Sequence, residues 1–239
     1  MREELFGGLK VRIVGGTDRM GGGDGPIVVL LHGFGAPGDD LVPLWRALDV
    51  PPSVRFVFPE APVALPWQFG GGRAWWMIDM DALQRLARRV SAGGMADEIP
   101  EGMAEARQKL AAMLSALSRD KALGSGPLVL GGFSQGAMLS CDTALHSDLP
   151  LAGLVVLSGT LLAEREWVPR MATRKGLPVL QSHGVEDPLL PLAWAERLRD
   201  RMSEAGMPVE WIQFRGGHEI PQTVLDRLGR FVTRVTAAK

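Results

Sequence analysis

Pro127-Leu128-Val129-Leu130-Gly131-Gly132-Phe133-Ser134-Gln135-Gly136-Ala137-Met138-Leu139 is the stretch on which the fold turns. Its first half is a short apolar run of the kind a fully buried strand shows, and the residues from Ala137 to His146 read as helix. A strand that turns sharply into a helix strains the residue between them, and side chains on either flank would strike the strand or the helix. The pattern Gly132-Phe133-Ser134-Gln135-Gly136 therefore reads as a device for exposing a nucleophilic serine at the end of a strand. The helix amino terminus behind Ser134 offers unpaired N–H groups and a positive dipole end, both suited to a developing oxyanion. Five such residues alone could be a glycine-rich turn, and it is the flanking strand and helix that supply the required context.

A serine hydroxyl is a poor nucleophile at neutral pH, so the reading demands an acid and then a base further along the chain. After the apolar run Leu177 to Ser182 comes His183-Gly184-Val185-Glu186-Asp187-Pro188, which puts Asp187 just past a strand end, with Glu186 as a rival acid. After Val209 to Phe214 comes Gly216-Gly217-His218-Glu219, which puts His218 in a glycine-flexed loop. Both positions lie beyond the carboxyl ends of strands, where a parallel sheet presents its ligand-binding edge. Either has a bland alternative, since Asp before Pro often starts a turn and a lone histidine is commonly a solvated residue. His183 is expected to bond backbone and shape the Asp187 turn, and His146, at the end of the nucleophile helix, to complement the helix dipole.

The fourth histidine follows another apolar strand, Ile27 to Leu31, in the loop His32-Gly33-Phe34-Gly35-Ala36-Pro37-Gly38. In hydrolases with this kind of serine turn, one oxyanion N–H belongs to the residue after the serine and the other to a loop after an early strand. Here those are Gln135 and Phe34. His32 is expected to brace the loop through its ring nitrogens. No phosphate-cradling glycine pattern opens a helix here, so no nucleotide cofactor is indicated.

With these segments in hand, the chain resembles the phospholipase/carboxylesterase family of α/β-hydrolases, which includes acyl-protein thioesterases and lysophospholipases. The resemblance runs from about Pro26 to Phe231 and rests on Leu31 to Ala36, Gly132 to Gly136, His183 to Pro188 and Gly217-His218-Glu219, in the family's order. It implies an α/β-hydrolase fold, with Ser134 as nucleophile, Asp187 as orienting acid, His218 as base and the Phe34 and Gln135 amides as oxyanion hole. Arg73-Ala74-Trp75-Trp76-Met77-Ile78-Asp79 resembles a family segment that reads Ala-Trp-Phe-Asp and lies near the acyl site, departing from it by a second tryptophan and two inserted apolar residues. The implied activity is hydrolysis of small or single-chain acyl esters or thioesters, with a lysophospholipase or acyl-protein thioesterase, amide or lactone cleavage, and an inactive binding module as alternatives.

Composition bounds the rest. The 239 residues are 46% hydrophobic, and strands and helices alternate without a linker, so residues 1–239 read as a single α/β domain with no separate lid domain. A net charge of −1 with scattered basic residues argues against nucleic acid as a partner. No apolar run approaches the ~20 residues a membrane span needs. The acidic amino terminus lacks a secretory apolar stretch, and one cysteine, Cys141, fits a reducing cytoplasm and a buried structural role. One cysteine and scattered histidines show no metal site. A homodimer is left open.

The coarse order is strand at Lys10–Val14, turn at Gly21–Gly25, strand at Ile27–Leu31, helix from about Asp39 and strand at Val54–Phe58. A long loop from Pro59 to Met80 follows, then helices at Asp81–Val90, with Arg85, Arg88 and Arg89 on its solvated face, and at Pro100–Ser118. Beyond the serine turn come strands at Gly153–Ser158, Pro178–Ser182 and Pro208–Phe214, and helices at Leu192–Ala205 and Gln222–Ala237. Uniformly apolar strands imply a mainly parallel sheet covered by helices on both faces. In the long loop, Trp67, Phe69, Trp75 and Trp76 sit at neither helical nor strand spacing. They either line an acyl groove or cover the sheet edge. Trp75 and Trp76, with Leu161 and Leu162 after Ser158-Gly159-Thr160, are the candidates for substrate binding in a shallow, open site.

Overall fold

The continuous apolar run at Ile27–Leu31 forms β3, and all five of its residues are buried. Such a strand needs cover on both faces, and its neighbours β4 (Arg55–Pro59) and β7 (Leu128–Phe133) run parallel to it. The computed structural model describes residues 1–67, 71–79, 85, 94–97, 99–124 and 126–237. Beyond β7 the sheet continues in parallel through β8 (Leu151–Leu157), β9 (Val179–Gly184) and β10 (Val209–Phe214). On the other side of β4 lie β2 (Leu9–Gly15) and the edge strand β1 (Arg2–Phe6), both paired antiparallel. The eight strands are ordered β1-β2-β4-β3-β7-β8-β9-β10, a mainly parallel open sheet.

Successive residues of a strand point to opposite faces, and the core divides accordingly. Val29, Leu31, Leu130, Leu154, Val156 and Val179 pack against one helical layer. That layer holds α2 (Met103–Arg119), α3 (Gln135–Leu145), α4 (Glu164–Met171) and α5 (Leu192–Glu204), α1 being the single turn Leu44–Ala47 on the other face. Val28, Leu30, Val129, Val155 and Leu180 face that second layer, where α6 (Gln222–Thr236) contributes Val224, Leu228, Phe231 and Val232. Every residue of α3 is buried, because the helix is enclosed between the sheet and its neighbours α2 and α4.

Several elements differ from expectation, each for a local reason. β1 was not anticipated. It runs three charged residues, Arg2-Glu3-Glu4, into Leu5-Phe6 at a sheet edge, and its hairpin partner follows a two-residue turn in which Gly7 and Gly8 both have positive φ, 55° and 85°. The helix expected from Asp39 is reduced to α1, with turns preceding it. The long loop carries a short antiparallel ribbon, β5 (Val63–Ala64) with β6 (Arg73–Ala74). α4 begins with Glu164-Arg165-Glu166 and contains Pro169, so its sequence resembles a loop. The expected helix at Asp81–Val90 lies outside the described residues except for Arg85, whose exposed guanidinium is 3.6 Å from the Asp79 carboxylate.

Candidate active site

Ser134 stands at the end of β7 with φ +55° and ψ −119°, a conformation that costs a non-glycine residue about 1–3 kcal/mol. Its N–H donates to the Leu157 carbonyl of β8 at 2.8 Å, which pins the turn to the neighbouring strand. The flanking glycines answer a need for space. A Cβ on Gly132 would lie 2.6 Å from both the Leu31 carbonyl oxygen and the backbone of Gly136, and one on Gly136 would overlap the Leu31 oxygen. Strand, turn and helix are thus packed backbone to backbone, and the serine is what projects.

The loop after β3 approaches the same point. A Cβ on Gly33 would sit 3.3 Å from the Ser134 Cβ and from the Phe133 ring. Both ring nitrogens of His32 are engaged, one inside this loop and one with Ala61 beyond β4. Its Nε2 accepts the Ala61 N–H at 3.0 Å, so Nδ1 carries the proton and donates to the Gly33 carbonyl at 2.8 Å. Phe34 follows, half-buried, and Gly35 then reverses the chain at φ +82°. The N–H of Gln135, in the first turn of α3, has no acceptor in its own helix and is free for a ligand.

Beyond β9 and β10 the chain brings Asp187 and His218 together. The His218 Nδ1–H donates to Asp187 Oδ2 at 2.7 Å, which leaves Nε2 as an acceptor. Asp187 Oδ1 accepts the N–H groups of Leu189 and Leu190, each at 2.9 Å. The two loops are laced by Val185 N–H to the Phe214 carbonyl at 3.0 Å and Glu186 N–H to the Gly216 carbonyl at 2.9 Å. The His218 ring lies 4.7 Å from that of Phe133, the residue before Ser134, so histidine and serine occupy one edge of the sheet. Glu186, the rival acid, is directed outward, 61% exposed and 3.4 Å from Arg215.

Burial opposes charge on Asp187, but the Leu190 and Leu189 N–H groups and the His218 ring outweigh it, and the carboxyl lies below its ordinary value. His183 is fully buried. Its Nε2–H donates to the Leu190 carbonyl at 2.8 Å with Asp187 Oδ2 at 3.5 Å, so it braces the acid turn through that backbone carbonyl. Burial pushes both His183 and His32 below the ordinary histidine value. Below that value of 6.5 the unfolded chain binds protons that the folded chain refuses, so stability is full above it and falls as pH drops toward the folded values. Urea midpoints should accordingly be lower at about pH 5.5 than at about pH 8. Equal midpoints would contradict the buried, neutral assignment of the two rings.

The residues expected to line an acyl pocket are buried. Trp75 and Trp76 are 1% and 3% exposed, and Leu161 is fully buried in the same core cluster. Leu162 is also buried. The cause for Trp75 is a satisfied indole, whose Nε1–H donates to the His32 carbonyl at 2.9 Å and so lets the ring enter the core. Trp67, by contrast, is 90% exposed and packs over Gly71, while Phe69 lies outside the described residues. The Gln135 side chain has a role that no spacing in the sequence signals. Its Oε1 accepts the Trp75 N–H at 2.9 Å and its Nε2 donates to the Trp76 carbonyl at 2.8 Å. His146 is the C-terminal cap residue of α3, its Nδ1 2.9 Å from the Asp142 carbonyl. Cys141 is a buried thiol, pushed far above its ordinary value by burial and the neighbouring Asp142.

A mainly parallel sheet covered on both faces, with a strained serine at a strand-to-helix turn, defines the protein as an α/β hydrolase. The chain belongs to the phospholipase/carboxylesterase family, whose pattern it matches over residues 22–236. It is 28% identical over 216 residues to acyl-protein thioesterase 1 of Aspergillus fumigatus, with 87% of each chain covered. With acyl-protein thioesterase 1 of Gibberella zeae it shares 29% over 223 residues, covering 87% of this chain and 89% of that one. Among solved structures, esterase PE8 superposes with a TM-score of 0.76 at 29% identity, over 95% of this chain and 99% of the other. Acyl-protein thioesterase 2 of Zea mays shares the fold, with a TM-score of 0.71 at 22% identity over 95% and 99% of the two chains. No helix among the described residues is long and apolar enough to cross a membrane.

Proposed function

We propose that the protein cleaves carboxylic esters or thioesters of small or single-chain acyl groups through a covalent acyl-enzyme on Ser134. The observation that carries this reading is the 2.7 Å hydrogen bond from His218 Nδ1 to Asp187 Oδ2 at the sheet edge where Ser134 projects. It supports a tautomer in which Nε2 is the proton acceptor. His218 takes the Ser134 proton as Oγ attacks the carbonyl carbon, and Asp187 holds the ring and stabilises the imidazolium. The N–H groups of Phe34 and Gln135 receive the negative charge that develops on the carbonyl oxygen, each donor contributing about 3 kcal/mol to the transition state. The tetrahedral intermediate collapses as His218 returns the proton to the leaving alcohol or thiol. A water activated by His218 then attacks the acyl-enzyme, and Ser134 is released with the carboxylic acid.

Support for a chain-like acyl group comes from apolar side chains left exposed on loops that carry site elements. Val185 and Leu189 flank Asp187 at 38% and 61% exposure, and Met77, 44% exposed, follows the Trp75-Trp76 pair that bonds Gln135. The names of the fungal relatives favour thioesters as a second substrate class. A fluorophosphonate is expected to add one equivalent to the protein, and peptide mass spectrometry to place the adduct on Ser134. An ester and a thioester of the same acyl group should both turn over. An acetyl or butyryl optimum would indicate small esters, and an octanoyl or longer optimum a lysophospholipid or acyl-protein role. Absence of any adduct, with no hydrolysis across the panel, would sink the reading.

A further inference from the structure

The two amides assigned to the oxyanion hole belong to elements about a hundred residues apart in sequence, yet one short segment, Arg73 to Trp76, is bonded to both. On the β3 side, the Gly35 N–H donates to the Arg73 carbonyl and the Arg73 N–H to the Ala36 carbonyl, both at 2.9 Å. The Trp75 indole N–H adds the bond to His32 at 2.9 Å, so the segment grips the loop at three points around Phe34. Close approach is possible because Gly72 has no Cβ, which would otherwise overlap the Gly35 carbonyl oxygen. On the α3 side, the Gln135 carboxamide bonds consecutive backbone groups, the N–H of Trp75 at 2.9 Å and the carbonyl of Trp76 at 2.8 Å.

Gln135, His32 and Trp75 are 1%, 2% and 1% exposed, so the bonds made by the Gln135 carboxamide and the Trp75 indole are shielded from competing water. The anchor continues outward. Arg73 is 3.3 Å from Glu60, Glu60 is 2.9 Å from Arg12, and Arg12 donates to the Gly38 carbonyl at 2.9 Å.

Resting on the assignment of Phe34 and Gln135 as oxyanion donors, we propose that the Gln135 carboxamide and the Trp75 indole are positioning groups, which through residues 73–76 splint the two donors at the spacing the tetrahedral intermediate requires. A donor pair gains its value from being fixed before charge develops, because no reorganisation is then needed at the moment of reaction. Without the splint, the β3 loop and the α3 amino terminus would keep their places in the fold but could drift relative to one another. A displacement of a fraction of an ångström is felt in kcat, whereas the ground-state carbonyl depends little on these donors.

The test is steady-state kinetics on a short aryl ester with Gln135→Met, which keeps length and backbone N–H but removes both side-chain bonds, and Trp75→Phe, which removes the indole bond to His32 together with part of the buried ring while leaving the Gln135 bonds to the backbone in place. Each variant is expected to lose about 10- to 100-fold in kcat with KM within about twofold of the original. Inhibition by an alkylboronic acid, whose tetrahedral adduct places an oxygen in the same hole, should weaken in parallel. The double variant should lose less than the product of the single losses, since both bonds act through one segment. Fluorophosphonate labelling of Ser134 should still reach completion in every variant.

Original kcat in Gln135→Met, or losses carried by KM with boronate inhibition unchanged, would overturn the splint. If Gln135→Met fails to fold, Trp75→Phe decides alone by the same two readouts. Failure of the original protein to label at Ser134 is a different result, which removes the oxyanion assignment itself and the splint with it.

Discussion

Ser134→Ala is expected to lower kcat on esters by roughly 10⁵- to 10⁶-fold while the chain remains folded, because on the proposed mechanism the acyl-enzyme can no longer form and the proposed oxyanion donors alone sustain only a residual rate. The size of the loss follows from how the three groups depend on one another. His218 is useful as a base only if a nucleophile lies against its Nε2, and Asp187 only if His218 needs orienting. Removing the serine therefore removes the contribution of all three at once. Stability should hardly change, since alanine keeps the Cβ that makes φ +55° unfavourable and loses only a hydroxyl. Ser134→Gly should lose activity equally but gain about 1–2 kcal/mol, because glycine adopts positive φ at little steric cost. The check is kcat for purified Ser134→Ala beside thermal unfolding of both variants. Esterase activity within tenfold of the original would remove Ser134 from the chemistry. Equal stability of the glycine and alanine variants would show that the turn stores no strain.

The central strands were legible because burial on both faces leaves a distinctive trace, an uninterrupted apolar run such as Ile27–Leu31 or Leu154–Leu157. Edge and surface elements leave weaker traces. β1 mixes Arg2, Glu3 and Glu4 with Leu5 and Phe6, and the best evidence for it was the Gly7-Gly8 pair, whose two positive φ values suit a tight hairpin. α4 was hidden by Pro169 and by Glu164, an acid that looks solvated but is 2% exposed, accepting the Ala96 N–H at 2.9 Å and facing Arg197 and Arg201.

At the site, the candidates could be picked out by order along the chain, since each follows a strand at the same edge of the sheet. Trp75 and Gln135 could not be connected in that way. Their bonds join side chain to backbone across 60 residues, and such contacts impose no periodicity on the sequence. Without a partner in view for its indole N–H, Trp75 suits an acyl groove as well as a cover over the sheet edge.

Asp142 carries the same lesson into stability and gives the second large effect. In sequence it is an acid in the middle of a helix, which would ordinarily face water. In the structure its carboxylate is fully buried, with Arg107 Nη1 at 2.9 Å and the Trp167 indole donating at 2.9 Å. The His146 ring stands 3.1 Å from Oδ1. One side chain thus ties α3, which positions Ser134, to α2 through Arg107 and to α4 through Trp167. Removing the acid from a buried pair leaves its partners without compensation, at a cost of about 3–5 kcal/mol. Arg107 retains some access to water and can partly rehydrate, which places Asp142→Ala near the lower end of that range, about 3 kcal/mol. Asp142→Asn keeps an acceptor for the Trp167 N–H and should lose less, about 1–2 kcal/mol. Urea unfolding of the two variants beside the original protein measures both. A loss below about 1 kcal/mol in Asp142→Ala would mean that the helical layer over the serine turn is held by apolar packing alone.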